Sequence, residues 1–283
     1  MKLAQVRTAS TGMLTAAIVH ENGCRLIIGH TMASLIRKAE VEDADLAELA
    51  DQMALVDPVA LELAIPVSPA EVWACGCTYA PSAEFRDGEV GEGEGPYAYV
   101  SNPGHRPELF FKGTERVCVG PNEKIGIRPD STFTAPEPEL AVVINSAGKI
   151  VGYTIGNDVS AWDIERENAL YLPQSKVYDA CCALGPFLVT PDEIGNPYEI
   201  EISCTIRRRG KLTFEGKASV GQLRRKFEEM IEYLTRGNSV PTPTVLLTGT
   251  GIIVTQEAAL VPGDVITIDV PGIGSLVNEA VKV

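Results

Sequence analysis

Two glutamates one residue apart, fenced by prolines, are the part of this sequence best suited to hold a cation. They stand in Pro136-Glu137-Pro138-Glu139-Leu140-Ala141-Val142-Val143-Ile144. Proline has no N–H and a fixed φ, so Pro136 and Pro138 exclude helix and keep the stretch extended. Residues two apart in an extended chain point to one side, which puts both carboxylates on one face. Parallel carboxylates repel unless a cation lies between them or one takes up a proton. Hard oxygen donors favour Mg²⁺, Mn²⁺ or Ca²⁺. A solvated edge strand with two glutamates fits the same residues, and the segments that follow weigh between the two.

Those segments favour the cation. The apolar run Leu140–Ile144, the turn Asn145-Ser146-Ala147-Gly148-Lys149 and the run Ile150–Ile155 predict a β-hairpin. Its return brings Gly156-Asn157-Asp158 level with the glutamates, so Asp158 is the expected third oxygen ligand. Lys176, in Gln174-Ser175-Lys176, offsets the excess negative charge. Three carboxylates and one divalent cation leave a single negative charge, which Lys176 neutralises. Upstream, Glu108-Leu109-Phe110-Phe111-Lys112 read as a strand puts Glu108, Phe110 and Lys112 on one face. That face suits a cavity wall, or a strand end with two snorkelling charges. Downstream, Thr248-Gly249-Thr250-Gly251 is a turn whose N–H groups and hydroxyls can take a carboxylate.

Taken in order, Glu137-Pro138-Glu139, Gly152-Tyr153-Thr154-Ile155-Gly156-Asn157-Asp158-Val159-Ser160-Ala161, Gln174-Ser175-Lys176 and Ala183-Leu184-Gly185-Pro186 resemble the fumarylacetoacetate hydrolase superfamily. The resemblance runs from Val72 to the C-terminus. Arg106–Lys112, Leu170–Lys176 and the pair Cys181-Cys182 look most like its 2-keto-3-deoxy-D-arabinonate dehydratase branch. The resemblance implies a strand-rich α+β fold, with a small N-terminal α/β domain over residues 1–68. A fumarylacetoacetase-like mixed β-sandwich or β-roll catalytic domain follows over 69–283. It implies Mg²⁺ on Glu137, Glu139 and Asp158, with Lys176, Glu108 and Glu84 moving protons and Thr250, Lys112 and Tyr79 contacting substrate. The reaction expected is dehydration of a 2-keto-3-deoxy sugar acid to 2,5-dioxopentanoate through a metal-stabilised enolate. Other activities of the fold on 2-keto acids are acylpyruvate hydrolysis, oxaloacetate decarboxylation and dienoate isomerisation, and a non-catalytic keto-acid binder is a third class.

Two departures from the superfamily pattern bear on this choice. The pattern Gly-x-Asn-Tyr-x-x-His-Ala-x-Glu reads here Gly76-Cys77-Thr78-Tyr79-Ala80-Pro81-Ser82-Ala83-Glu84. Tyr79 keeps its place and Glu84 stands one place before the pattern's glutamate, but Ser82 replaces the histidine that activates water with that glutamate in the hydrolases. Serine does not titrate near neutral pH, which disfavours carbon–carbon hydrolysis and suits the dehydratase branch. Where the family reads Val-Ser-Ala-Arg-Asp, this chain has Val159-Ser160-Ala161-Trp162-Asp163. The exchange is expected to remove a donor and a fixed charge beside the metal loop.

Composition narrows the partners. The chain has 283 residues and a formal net charge of −14, against a nucleic-acid partner. Met1-Lys2-Leu3-Ala4-Gln5 has no signal-like apolar core, and no stretch approaches the ~20 apolar residues of a membrane span. A cytoplasmic protein with no membrane partner is expected, acting on a small 2-keto acid. The family resemblance adds a homo-oligomer, a dimer or tetramer. Seven cysteines without framework spacing read as reduced thiols.

The remaining elements frame the site. Leu14–His20 and Cys24–Ile28 flank Glu21-Asn22-Gly23 as a hairpin, and residues 32–64 read as helix. Val72–Tyr79 reads as a buried strand leading into a site loop. Asp87–Gly95 alternates glycine with acid and reads as a lid over the substrate or a plain surface loop. Glu199–Arg208 and Lys211–Glu215 form a hairpin around Arg209-Gly210. Ser219-Val220-Gly221-Gln222 reads as a capping box opening a helix that buries Leu223, Phe227, Met230, Ile231 and Leu234 and stops at Gly237.

Overall fold

The computed structural model describes residues 1–8, 12–55, 62–80, 82–84 and 95–283. Most of residues 87–95, the lid or loop of the sequence reading, lies outside the described residues.

The hairpin of the two glutamates forms the middle of the molecule. Strand β10 (Pro138–Ile144) pairs antiparallel with β11 (Ile150–Asp158), with Glu139 opposite Gly156 and Pro138 opposite Asn157. All seven residues of β10 are buried. Leu140, Val142 and Ile144 enter one apolar cluster, and Ala141 and Val143 enter another on the opposite face. A strand covered on both faces reads as a continuous apolar run, which is why the sequence drops its alternation here. The solvated edge strand is thereby excluded.

Around this hairpin runs a sheet that holds eleven strands among the described residues. On one side β11 meets β13 (Cys182–Val189), then β1 (Lys2–Arg7), β2 (Leu14–His20) and β3 (Gly23–Ile27). On the other, β10 meets β16 (Thr244–Leu247), then β5 (Glu71–Gly76) and the border strand β6 (Glu108–Gly113). Two short strands, β4 (Glu62–Leu63) and β7 (Cys118–Val119), pair with β1 and β13. A second sheet runs β15 (Lys211–Ser219), β14 (Glu201–Arg208), β17 (Asp264–Val270), β18 (Gly274–Lys282) and β8 (Lys124–Ile127). Its inward residues Ile202, Cys204, Ile206, Ile266 and Ile268 share one apolar cluster with β10, so the two sheets pack face to face. β9 (Thr134–Ala135) and β12 (Ser160–Ala161) form a small ladder beside the site.

Local expectations were met unevenly. The two other predicted hairpins also form: His20 pairs with Gly23, and Arg208 pairs with Lys211 around Arg209 and Gly210, both at positive φ. The helix expected over 32–64 is two helices, Met32–Val41 and Leu46–Met53, followed by β4. Asp45 starts the second by accepting from the N–H groups of Ala47 and Glu48, a capping signal set inside an otherwise helical pattern. The capping box at Ser219–Gln222 is present but closes a 3₁₀ turn, Val220–Gln222. Leu223 then turns extended, and the α-helix runs only from Phe227 to Thr235.

Arg225 occupies that interruption and is fully buried. Its guanidinium donates to the carbonyls of Val100, Asn102 and His105 and pairs with Glu229. The clamp fixes the end of the helix Pro96–Ser101 to the start of the helix Phe227–Thr235. Arg225→Met keeps the volume but strands these acceptors, so it is expected to cost about 3 kcal/mol. Denaturant unfolding of both proteins checks this.

Candidate metal centre

Glu137 sits one residue before β10 and Asp158 ends β11, so pairing across the hairpin brings them together. The Glu137 N–H donates to Asn157 Oδ1 (3.1 Å) and the Asp158 N–H to the Glu137 carbonyl (3.0 Å). These bonds lock the register at the site end of the hairpin. One carboxylate oxygen from each of Glu137, Glu139 and Asp158 lies within 4.8 Å of the others, and all three residues are buried. Three hard, anionic oxygens at that spacing fit a small divalent cation.

The electrostatics point the same way. Burial, with Asp158 and Glu137 adding repulsion, pushes the Glu139 carboxyl well above its ordinary value of 4.5. The Gly249 N–H donates to Glu139 Oε2 (2.6 Å) and opposes that rise. Gly249 has φ +90°, and a Cβ there would sit 2.0 Å from Thr78 Oγ1, so only glycine lets the loop approach this closely.

Two ammonium groups hold the triad from behind and from the side. Lys176, at the end of the short helix Leu172–Lys176, directs Nζ at both oxygens of Glu137 (2.9 and 3.0 Å). It also donates to Ser160 Oγ (2.7 Å) and Asp158 Oδ2 (3.4 Å). Lys112 is wholly buried, with Nζ 2.5 Å from Asp158 Oδ1 and 3.0 Å from the Val159 carbonyl. Burial pulls the Lys112 pKa down, but the charge of Asp158, its hydrogen bond and the thiols of Cys181 and Cys182 together more than offset this and raise it, so it stays an ammonium. Three carboxylates and two ammoniums leave one negative charge. A divalent cation turns that to one positive charge, and the carboxyls of Glu108 and Glu165 line the same cavity.

Of the residues proposed from sequence, the cavity over the triad is lined by Glu108, Glu137, Glu139, Asp158, Lys176 and Thr250. Three others do not line it. Lys112, expected on the substrate, instead supports Asp158. Tyr79 is 1% exposed, packed under Gly251, and its hydroxyl has no hydrogen-bond partner among the described residues. Glu84, expected to move protons, has a 73% exposed side chain with its carboxylate 3.9 Å from Arg224. It follows the site loop on a short helical turn that points it into solvent, so its position does not support that role. Ser82 does line the cavity, and its hydroxyl donates to the Thr250 carbonyl (2.5 Å).

Two lining residues were not foreseen in these roles. Glu165, 5% exposed, lies 3.8 Å from Lys176 Nζ and accepts from the Ser175 hydroxyl at 3.3 Å. The only sequence signal was its place three residues after Trp162, on the same helical face. Trp162 corrects a second expectation. Its Nε1–H donates to Glu137 Oε1 (2.5 Å), so the donor expected to vanish with the family's arginine is supplied by the indole.

Comparison with known proteins agrees with this geometry. Residues 73–281 match the model of the fumarylacetoacetate hydrolase C-terminal domain, and the chain belongs to that family. The 2-dehydro-3-deoxy-D-arabinonate dehydratase of Saccharolobus solfataricus is 47% identical over 219 residues, 77% of this chain and 74% of the relative. A probable 2-keto-3-deoxyxylonate dehydratase of Haloferax volcanii is 41% identical over 260 residues, 89% of each chain. Among solved structures, a 2-keto-3-deoxy-D-arabinonate dehydratase complexed with magnesium and 2,5-dioxopentanoate superposes with a TM-score of 0.86 at 37% identity, covering 100% of this chain and 99% of that one.

A raised Glu139 pKa has a measurable consequence. The metal-free fold favours the protonated carboxyl, so the stability it contributes is present below 4.5 and is lost as pH rises through the raised value. Mg²⁺ needs the ionised form and competes with that proton. The rise in melting temperature on adding saturating Mg²⁺ should therefore be larger at about pH 8 than at about pH 5. Equal rises at both pH values would contradict a proton shared with the ion site.

Proposed function

We propose that this protein is a magnesium-dependent hydro-lyase that converts a 2-keto-3-deoxy-pentonate to 2,5-dioxopentanoate and water. The observation that carries the reading is the buried triad of Glu137, Glu139 and Asp158 sharing one cavity with Lys176 and Glu108. The identities to dehydratases, 47% and 41%, support it. The names of those relatives differ less than they seem to. Forming a 2-keto-3-deoxy acid erases the stereocentres at C2 and C3, so arabinonate and xylonate of one series give the same molecule.

Glu137, Glu139 and Asp158 would hold the ion, which when bound withdraws electrons from the keto oxygen and so acidifies C3. The protein's own groups then move the protons. Lys176 donates to Glu137, Ser160 and Asp158 at once, a set that uses all three protons of an ammonium. As a cation it has a proton to give, which makes it the acid that helps the C4 hydroxyl leave as water. Glu108, on the border strand and facing the cavity, is the group free of that task and takes the C3 proton. Loss of one C3 hydrogen and the C4 hydroxyl removes the elements of water. Proton shifts from C5 to C3 and from the C5 hydroxyl to C4 then give the terminal aldehyde. Thr250, beside the Gly249 turn, lies where the substrate carboxylate would rest.

Incubation of the protein with Mg²⁺ and the 2-keto-3-deoxy-pentonate should yield 2,5-dioxopentanoate, and EDTA should stop it. The absence of turnover with either C4 isomer would remove this reading. Glu108→Gln and Lys176→Met should each lower kcat by roughly 10²- to 10⁴-fold. In D₂O the two variants should differ: Lys176→Met still exchanges the C3 hydrogens, whereas Glu108→Gln does not.

A further inference from the structure

We infer that Trp162 is a positioning residue for Glu137: its neutral indole N–H fixes the carboxylate that takes the ion. The inference rests on the proposal above that Glu137 is a metal ligand. Glu137 Oε1 accepts from Trp162 Nε1 at 2.5 Å and from Lys176 Nζ at 2.9 Å. Both Trp162 and Glu137 are buried.

The indole is itself held in place. Its backbone N–H donates to the Phe133 carbonyl (2.8 Å), and its ring meets Phe133 edge to face at 5.3 Å. The guanidinium of Arg166, one helical turn on, covers both rings at 4.8 and 5.6 Å. The next residue, Asp163, accepts from Ser131 Oγ (2.7 Å) and the Thr132 N–H (2.6 Å) and pins the helix start. A donor this constrained selects one orientation of the carboxylate it touches.

The choice of indole has a physical sense. An indole N–H only donates and carries no charge. It orients a ligand oxygen without repelling a divalent cation, as a guanidinium at the same place would. Groups that hydrogen-bond to metal ligands commonly change affinity by 10- to 100-fold.

Two variants separate the hydrogen bond from packing. Trp162→Phe keeps an aromatic ring against Phe133 and Arg166 and removes the donor. Trp162→Gln removes the ring and keeps a neutral N–H three bonds from Cβ, as in tryptophan. By calorimetry, Trp162→Phe is expected to bind Mg²⁺ about tenfold more weakly than wild type, with Trp162→Gln the closer of the two to wild type. A packing role predicts the reverse order, and that order, or a Trp162→Phe affinity equal to wild type, overturns the inference while leaving the proposed function intact. Failure of the wild type to bind Mg²⁺ overturns both. Should either variant not fold, a second readout decides. The chain has two tryptophans, so Trp73→Phe leaves Trp162 as its single emitter. Mg²⁺ should change that emission, and an unchanged spectrum under conditions where calorimetry detects binding sinks the inference.

Discussion

Crowding of like charge inside a low-dielectric core is the constraint on which this molecule depends. Glu137, Glu139 and Asp158 are each less than a tenth exposed, and Glu137 and Asp158 share Lys176 as a donor. Such a group is tolerable only if its charge is matched from nearby. Lys112 and Lys176 match two of the three, and the Gly249 N–H stabilises the third in part. What remains among these five groups is a deficit of one positive charge, which a divalent cation would fill.

The surrounding architecture keeps that cluster from relaxing. β10 is covered on both faces, so the strand bearing Glu139 cannot rotate its carboxylate outward without exposing two apolar clusters. The Thr248 hydroxyl donates to the Leu140 carbonyl and the Thr78 hydroxyl to the Thr248 carbonyl, both at 2.7 Å. These bonds tie the ends of β16 and β5 to β10 and put Gly249 against Glu139. The two sheets need not know anything about the ion; they only have to pack.

How much of this was legible in the sequence depended on the range of the interaction. The hairpin that joins Glu139 to Asp158 was readable because prolines, an apolar run and a turn act locally. Lys176 and Glu108 were placed at the site through the order of motifs. The partition of roles among buried charges was not readable, because it depends on which side chain lies behind which. Lys112 and Lys176 are alike in sequence terms, yet one backs Asp158 and the other bridges the cavity. Glu84 follows the site loop closely, but one helical turn carries it into solvent. Trp162 looked like the loss of a donor because the usual residue there is arginine. Only its geometry exposes an N–H in the same office.

Manganese, which scatters anomalously and accepts the same oxygen donors, offers the most direct test of the ion cluster. Crystals soaked in Mn²⁺ should give one strong anomalous peak bounded by Glu137, Glu139 and Asp158, about 2.1 Å from an oxygen of each. A map with no peak there, and with Lys176 and Lys112 still pairing the carboxylates at full Mn²⁺ concentration, would contradict the account.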